Sequence, residues 1–551
     1  MSSGYQDNKK YPGPGPVVGD VEVISGEIVP VGLNEYEMQF AEVGMVKQGL
    51  KQRHIQMIAL AGTIGTGLFL GSGRAIAHAG PLGAFLGYSI IGVTAAGVVM
   101  SVAEMGALIP LNGGIVRYTD TFVDPALAFA NGWNLVYSNI VSLPAEIVAA
   151  AVLVEFWVTV NNAVWITVFS FLTIATSLFF VRLYGEMEFG FAMLKIILIV
   201  MVNVMAIVIT AGGAPNHQVI GFKYWHHPGP FVQYLGVSGS LGRFLGFWTT
   251  FSNALYSYSG VEGITLAAAE VEAPRRAIPL AARRIFWRVA IFYIVTIGMV
   301  GLVVPSNSKQ LLQSTGTAAQ SPFVIAAKLA HIRVMPHVIN AIVLTSAWSA
   351  ANSGMLSGSR TLYGLARSGR APNIFLRLNR FGVPYVAIGF FGLFMALGYM
   401  TLSDSASTVF TWLQDLISIS TLTNWIIICI TYLRFYYGCR AQGIDRSELP
   451  WAAPFMPWLP WGSLALFLLL LLTSGYTTFM SHHWNSETFV SSYFNIPFIF
   501  VVYFGYKFVK KSKIVPLSEI PIRPYIQIAL DNPEPPEKPK STLQKLNILW
   551  S

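Results

Sequence analysis

The chain has 551 residues, of which 54% are hydrophobic and only 11% charged, with a mean hydropathy of +0.56, and this balance excludes an ordinary water-soluble globular protein. Its formal net charge of +9 does not point to nucleic acid, because the arginines and lysines fall mainly between apolar runs, where membrane orientation accounts for them. The two cysteines, Cys429 and Cys439, form neither a disulfide framework nor a CxxC metal site.

Residues 1 to about 50 are rich in Gly, Pro and charge and read as a disordered cytosolic tail without a cleaved targeting segment. From His54 onward, near-chargeless runs of roughly twenty residues recur, each long enough to cross about 30 Å of hydrocarbon as a helix. They fall at roughly 54–76, 82–109, 126–157, 163–181, 188–210, 243–268, 286–304, 336–357, 384–402, 409–433, 456–475 and 492–509. The expectation is an all-α integral membrane protein of about twelve spans, with a transmembrane domain over 51–509 and a second cytosolic tail over 510–551. A β-barrel would show short segments of alternating polarity instead.

With the N-terminus inside, the inner loops carry about fifteen Lys and Arg against about six in the outer loops, which places both tails in the cytosol. The longest outer loop holds Lys223-Tyr224-Trp225-His226-His227-Pro228, where a histidine pair without a third ligand at helical spacing is assigned no metal. No HExxH, GxSxG or P-loop motif is present, so neither an enzyme nor a cofactor is expected. A channel would want repeated pore-lining rings or a filter sequence, and no such repeat occurs.

Two spans carry residues that weaken a regular helix. Span 1 contains Gly62-Thr63-Ile64-Gly65-Thr66-Gly67-Leu68-Phe69-Leu70-Gly71-Ser72-Gly73, and span 6 contains Tyr256-Ser257-Tyr258-Ser259-Gly260-Val261-Glu262-Gly263. Small residues at these positions also suit close helix packing. Two interrupted helices five spans apart are the sequence pointer to a transporter of two inverted repeats, whose substrate sits where both helices unwind. Unwinding exposes N–H groups that attract a carboxylate and carbonyls that accept from an ammonium, and an amino acid carries both on one carbon.

The run from Gly62 to Phe69 after Arg53-His54, Phe122-Val123-Asp124-Pro125-Ala126-Leu127 ahead of Gly132-Trp133-Asn134, and Leu143-Pro144-Ala145-Glu146 together resemble the fungal amino-acid permeases of the amino acid–polyamine–organocation superfamily. So do Glu270 to Pro279, Thr345 to Asn352, Ser359 to Ala366, and Asn424-Trp425 followed by Tyr432-Leu433-Arg434-Phe435. The resemblance covers the chain from about Leu50 to about Phe508. It implies two inverted five-helix repeats plus two further helices, and proton-coupled uptake of amino acids across the plasma membrane. A nutrient sensor of the same fold, or a permease restricted to dicarboxylic amino acids, is an alternative. It further implies that the α-carboxylate meets N–H groups around Thr66 and Gly67, that the α-ammonium meets carbonyls near Thr63, Tyr256 and Ser259, and that Tyr256 covers the side chain. Asn139 in span 3 matches a substrate-contacting position less closely. Lys9, Lys10, Lys47 and Lys51 are tail lysines of the kind on which such permeases meet ubiquitin-ligase machinery.

Ionisable residues within spans cost about 2.5–3.5 kcal/mol each, so each needs a partner or a purpose. Lys195 lies seven positions into the apolar stretch Phe189 to Val208, and a desolvated lysine can gain or lose a proton within reach of physiological conditions. The resemblance gives Lys195 the place where sodium-coupled relatives bind their ion, which implies proton coupling. Glu262, just after the break in span 6, either relays a proton or holds the broken helix in shape. Glu104 stands with them as a candidate for coupling, although it and Glu146 equally suit interhelical pairing. Asp415 in span 10, beside Gln414, departs from the neutral residue that the resemblance implies there; facing the cavity it would disfavour anionic side chains or favour cationic ones, and facing span 1 or 6 it would be structural.

Overall fold

The computed structural model describes residues 21–24, 27–30, 65–110, 113–158, 160–179, 181–265, 273–312 and 321–534, with side chains described at all of these except 21–30, 181–186, 285–290, 312 and 407. Thr63, Ile64 and the tail lysines Lys9, Lys10, Lys47 and Lys51 lie outside the described residues. Within the expected disordered tail, β1 (Val21–Ile24) pairs antiparallel with β2 (Glu27–Pro30), a pairing favoured by their β-branched residues.

From Gly65 on, the described architecture is helical. A π-helical segment at Gly67–Gly71 leads into α1 (Ser72–Leu108), followed by α2 (Gly114–Phe122), α3 (Pro125–Val154), α4 (Asn162–Phe179), α5 (Val181–Thr210), α6 (Gly239–Tyr258), α7 (Pro274–Val303) and α8 (Met335–Arg367). Then come α9 (Tyr385–Phe394), α10 (Ala406–Ala441), α11 (Trp458–Thr473), α12 (Ser486–Tyr493), α13 (Asn495–Lys510) and α14 (Ile522–Asp531). Six described helical stretches are individually long and apolar enough to cross a membrane, and α12 with α13, bent by 42°, makes a seventh when the pair is taken as one.

The first two expected spans join without a loop. Gly80, at φ +79°, turns the chain inside α1 just before Pro81, and the corner is closed by Leu82 N–H donating to the Pro230 carbonyl at 3.1 Å and Val232 N–H to the Ala79 carbonyl at 3.2 Å. A Cβ at Gly80 would sit 2.6 Å from the Pro230 oxygen, so both conformation and space require glycine.

α1 packs on α6 and α7, while α3 packs on α8 and α10. α10 is almost wholly enclosed, whereas Phe171 on α4, Val200 and Val204 on α5, and Val501 and Phe508 on α13 are exposed apolar residues. Apolar side chains on the outside of a helical bundle are what a lipid solvent selects.

The chain after α13 does not trail away as a tail over its described length. Val515 N–H donates to the Val123 carbonyl at 2.9 Å, the Arg434 guanidinium donates to the Val515 carbonyl, and Gln442 Nε2 donates to the carbonyls of Leu517 and Ile520 at 3.0 and 2.8 Å. Ile522 and Tyr525 of α14 are buried. Residues 511–534 therefore pack with the helical body, beyond the boundary expected at 509.

Asp124 is the pin of this region. It caps α3, accepting from Ala126 N–H at 2.9 Å with Pro125 in the first helical position, and it also accepts from Ser512 Oγ at 2.9 Å, Tyr503 OH at 3.2 Å and the Lys507 ammonium. Burial works against its charge, but these donors, Lys507 first, outweigh burial and hold the carboxyl below the usual carboxylate range. Its stabilisation is thus present above the ordinary aspartate value of about 4 and is lost as pH falls through the lower folded value. Asp124→Ala is expected to cost about 1–2 kcal/mol at neutral pH. In thermal unfolding of detergent-solubilised protein, the gap from wild type should close on acidification; a gap that persists in strong acid would refute the electrostatic part.

Candidate functional site

Helical hydrogen bonding is interrupted in span 6. α6 ends at Tyr258, Ser259 takes ψ 142°, Gly260 sits at φ +90°, and the chain resumes as a 3-10 turn over Val261–Thr265. The carbonyls freed by the break are partly reclaimed: Tyr256 O accepts from Ser259 N–H and Oγ at 3.3 and 2.8 Å, and Ser257 O accepts from Tyr293 OH of α7 at 2.8 Å. In span 1, the described chain opens with a bend at Gly65 and winds as a π-helix from Gly67, a geometry that frequently marks functional sites. Phe69 O in that segment accepts from Ser321 Oγ at 2.9 Å.

The two segments touch. A Cβ on Gly67 would lie 2.9 Å from Ser257 Cα, so glycine is what permits the approach. Beside it, Thr66 Oγ1 donates to the Glu146 carboxylate at 3.1 and 3.2 Å and lies 3.0 Å from Tyr256 OH, which itself donates to Glu146 Oε1 at 3.1 Å. Thr66, Tyr256 and Glu146 come from spans 1, 6 and 3, and all three are buried. Ser257 Oγ, also buried, meets Tyr88 OH of α1 at 3.2 Å. Of the candidates taken from sequence, Gly65, Thr66, Gly67, Tyr256, Ser257, Ser259 and Gly260 therefore gather at one place.

Asn139 is not brought to that place. Its Nδ2 donates to Leu135 O of its own helix at 2.8 Å, and its side chain lies against Gly354 and Gly358 of α8. Glu262 accepts from Asn424 Nδ2 and Trp425 Nε1 of α10, both at 3.1 Å, and Asn131 Nδ2 of α3 donates to Asn424 at 3.0 Å. This ties the turn after the break to two helices. Glu104 is 1% exposed and accepts from Arg446 at 2.8 and 3.0 Å, from Tyr432 OH at 2.9 Å and from Ala453 N–H at 2.8 Å, an ion pair saturated with donors.

Asp415 faces both span 1 and span 6: Arg74 Nη1 lies 3.5 Å away and Ser252 Oγ donates to it at 3.1 Å. Lys195 is 1% exposed and donates to Ser349 Oγ of α8 at 3.1 Å, close enough to Glu146 for their charges to interact. The sequence favours interhelical pairing for Glu146 and does not place it at the substrate site. Its place beside the π-helical start of span 1 and the break in span 6 was signalled by nothing but the proline two positions earlier, since its partners lie 80 and 110 residues away.

A helical bundle with an interrupted span at its centre is the build of a secondary transporter. The chain is similar to a manganese transporter from Eremococcus coleocola, with a TM-score of 0.56 at 12% identity over 93% of this chain and 99% of that one, a likeness of fold alone. Residues 54–518 match the amino acid permease family, and the chain belongs to it. It is 35% identical to a dicarboxylic amino acid permease of Saccharomyces cerevisiae, over 88% of this chain and 80% of that protein. It is 37% identical to a proline-specific permease of the same yeast, over 88% and 79%. These relatives are permeases, not enzymes.

Two substitutions test the geometry. Gly67→Ala is expected to abolish uptake of a labelled amino-acid mixture at normal surface expression, whereas Gly71→Ala, whose Cβ meets nothing nearer than Gln414 at 3.8 Å, stays near wild type. Equal uptake by both variants would contradict the close approach. Glu104→Ala strands Arg446 and is expected to destabilise by about 3–5 kcal/mol, and Glu104→Ala with Arg446→Met should recover part of that loss in thermal unfolding.

Proposed function

We propose that this chain takes amino acids into the cell across the plasma membrane by alternating access, driven by co-transported protons, with both tails in the cytosol. The observation that carries the reading is the junction of the π-helical segment of span 1 with the broken span 6, where Thr66, Tyr256 and Glu146 meet beside main chain released from helical bonding at Ser259 and Gly260. Amide N–H groups at the start of the outer half of span 1 would take the α-carboxylate. The α-ammonium would meet carbonyls of the span-6 break, displacing Ser259 from Tyr256 O, with Glu146 as the nearby counter-charge. The names of the two yeast relatives, one dicarboxylic and one proline-specific, support amino acids as the cargo and do not select among them.

Lys195 supports protons as the coupled ion. It is buried beside Ser349 and within electrostatic reach of Glu146, so a change in its protonation would be felt at the site. Glu262 and Glu104 act on this reading as fasteners, the first for the broken turn and the second for the Arg446 end of the bundle. Uptake in cells lacking their own permeases, competed with neutral, acidic and basic amino acids at two external pH values, tests the reading. Wild type should accumulate label more strongly at acid pH, Lys195→Met should lose that dependence while still reaching the surface, and Glu262→Gln should keep it. Undiminished uphill uptake by Lys195→Met would remove Lys195 from coupling, and a growth signal without accumulation would favour a sensor.

A further inference from the structure

Glu188 plays no part in the site described above, yet it is one of the most enclosed carboxylates in the bundle, at 2% exposure. It stands seven residues before Lys195 on α5, two turns along the same face. Ser349 of α8 lies between them: Lys195 Nζ donates to Ser349 Oγ at 3.1 Å, and that hydroxyl is 3.0 Å from each Glu188 oxygen. Ser353, one turn further along α8, donates to Glu188 Oε1 at 3.0 Å.

A hydroxyl has one proton to give and lone pairs with which to accept. With the Ser349 proton directed at Glu188, its lone pair faces the Lys195 ammonium, and the donors run in one direction from Lys195 through Ser349 to Glu188. Glu188 and Glu146 both act electrostatically on Lys195, and Glu146 contacts Thr66 of span 1 and Tyr256 beside the break in span 6. With the N-terminus inside, α5 enters from the cytosol, so Glu188 lies on the order of 10 Å nearer the cytosol than Lys195.

We propose that Glu188 is the inward proton acceptor of the transport cycle. The step rests on the proton-coupled reading above. A proton leaves Lys195 Nζ for Ser349 Oγ as the Ser349 proton moves to a Glu188 oxygen, leaving a neutral amine, an intact hydroxyl and a carboxylic acid. Glu188 then loses its proton to cytosolic water and returns to carboxylate, and the serine hydroxyl rotates back. A carboxylate that only bridged α5 to α8 would give the same hydrogen bonds, but it would not need to change charge.

The test uses the full chain reconstituted in liposomes with the outside one pH unit more acid. The probe is whichever of labelled L-glutamate, L-proline and L-lysine the wild type accumulates best. One coupled proton supports about tenfold accumulation under that gradient. Glu188→Gln keeps an oxygen to accept from Ser349 but cannot carry the proton, so accumulation should fall to near unity while counterflow at equal pH persists. Ser349→Ala should show the same split, and Ser349→Thr, which restores the hydroxyl, should recover coupling. Full accumulation by Glu188→Gln in a coupled background overturns the relay alone, as does equal behaviour of the two Ser349 variants, which decide the matter if Glu188→Gln does not reconstitute. A wild type indifferent to the pH gradient overturns the proton-coupled reading and the relay with it.

Discussion

Polar groups cut off from water have to find their partners inside the protein, and the bundle is organised around that requirement. Four of its carboxylates show the pattern. Glu104 joins α1 to α10 and to the segment around Arg446, and Glu146 joins α3 to span 1 and α6. Glu188 joins α5 to α8, and Glu262 joins the span-6 turn to α10. Between apolar helices in lipid there is little hydrophobic preference for one register over another, so contacts of this kind fix which turn of one helix faces which turn of the next.

The same requirement explains how span 6 tolerates its break. Leaving helical geometry at Ser259 and Gly260 would expose carbonyls, and the protein answers with Ser259 itself and with Tyr293. The site is therefore not a row of vacant groups waiting for a ligand. Thr66 and Tyr256 already donate to Glu146, and the Tyr256 carbonyl is already occupied. On the proposed reading, a charged ligand arriving there would exchange hydrogen bonds and not simply add them.

Much of this was legible in the sequence, because lipid imposes a long-wavelength pattern that composition alone reveals. Apolar runs marked the helical stretches, and the glycines of spans 1 and 6 marked the irregular segments, with Gly260 in the positive-φ position that its residue type permits. What escaped was pairing. Glu188 stands two turns from Lys195 on its own helix, and its link to Lys195 runs through Ser349, 161 residues from Glu188. Asp415 stood out as unusual, but only the structure brings Arg74 and Ser252 to it. Asn139 shows the converse: its identity suited a ligand contact, yet its rotamer turns it back onto its own helix. The packed segment after α13 was hidden for another reason, since α14 is short and amphipathic and resembles a solvated tail until its partners on α10 are known.

If the proposed site recognises the common head group, discrimination among amino acids must come from other groups. Main-chain amides, a threonine and a tyrosine hydroxyl treat every α-amino acid alike, and Asp415, held by Arg74, is not an isolated charge that would select a basic side chain. On the proposed reading, the surface left to do the sorting would be the apolar cluster in which Tyr256 packs with Val141 and Ala145 of α3 and Val409 and Leu413 of α10, with Phe410 edge-on to Tyr256 at 6.1 Å. Changing the size of one such residue alters the room beside the head group without disturbing the hydrogen bonds that grip it, and each methylene of misfit is worth about 1–3 kcal/mol.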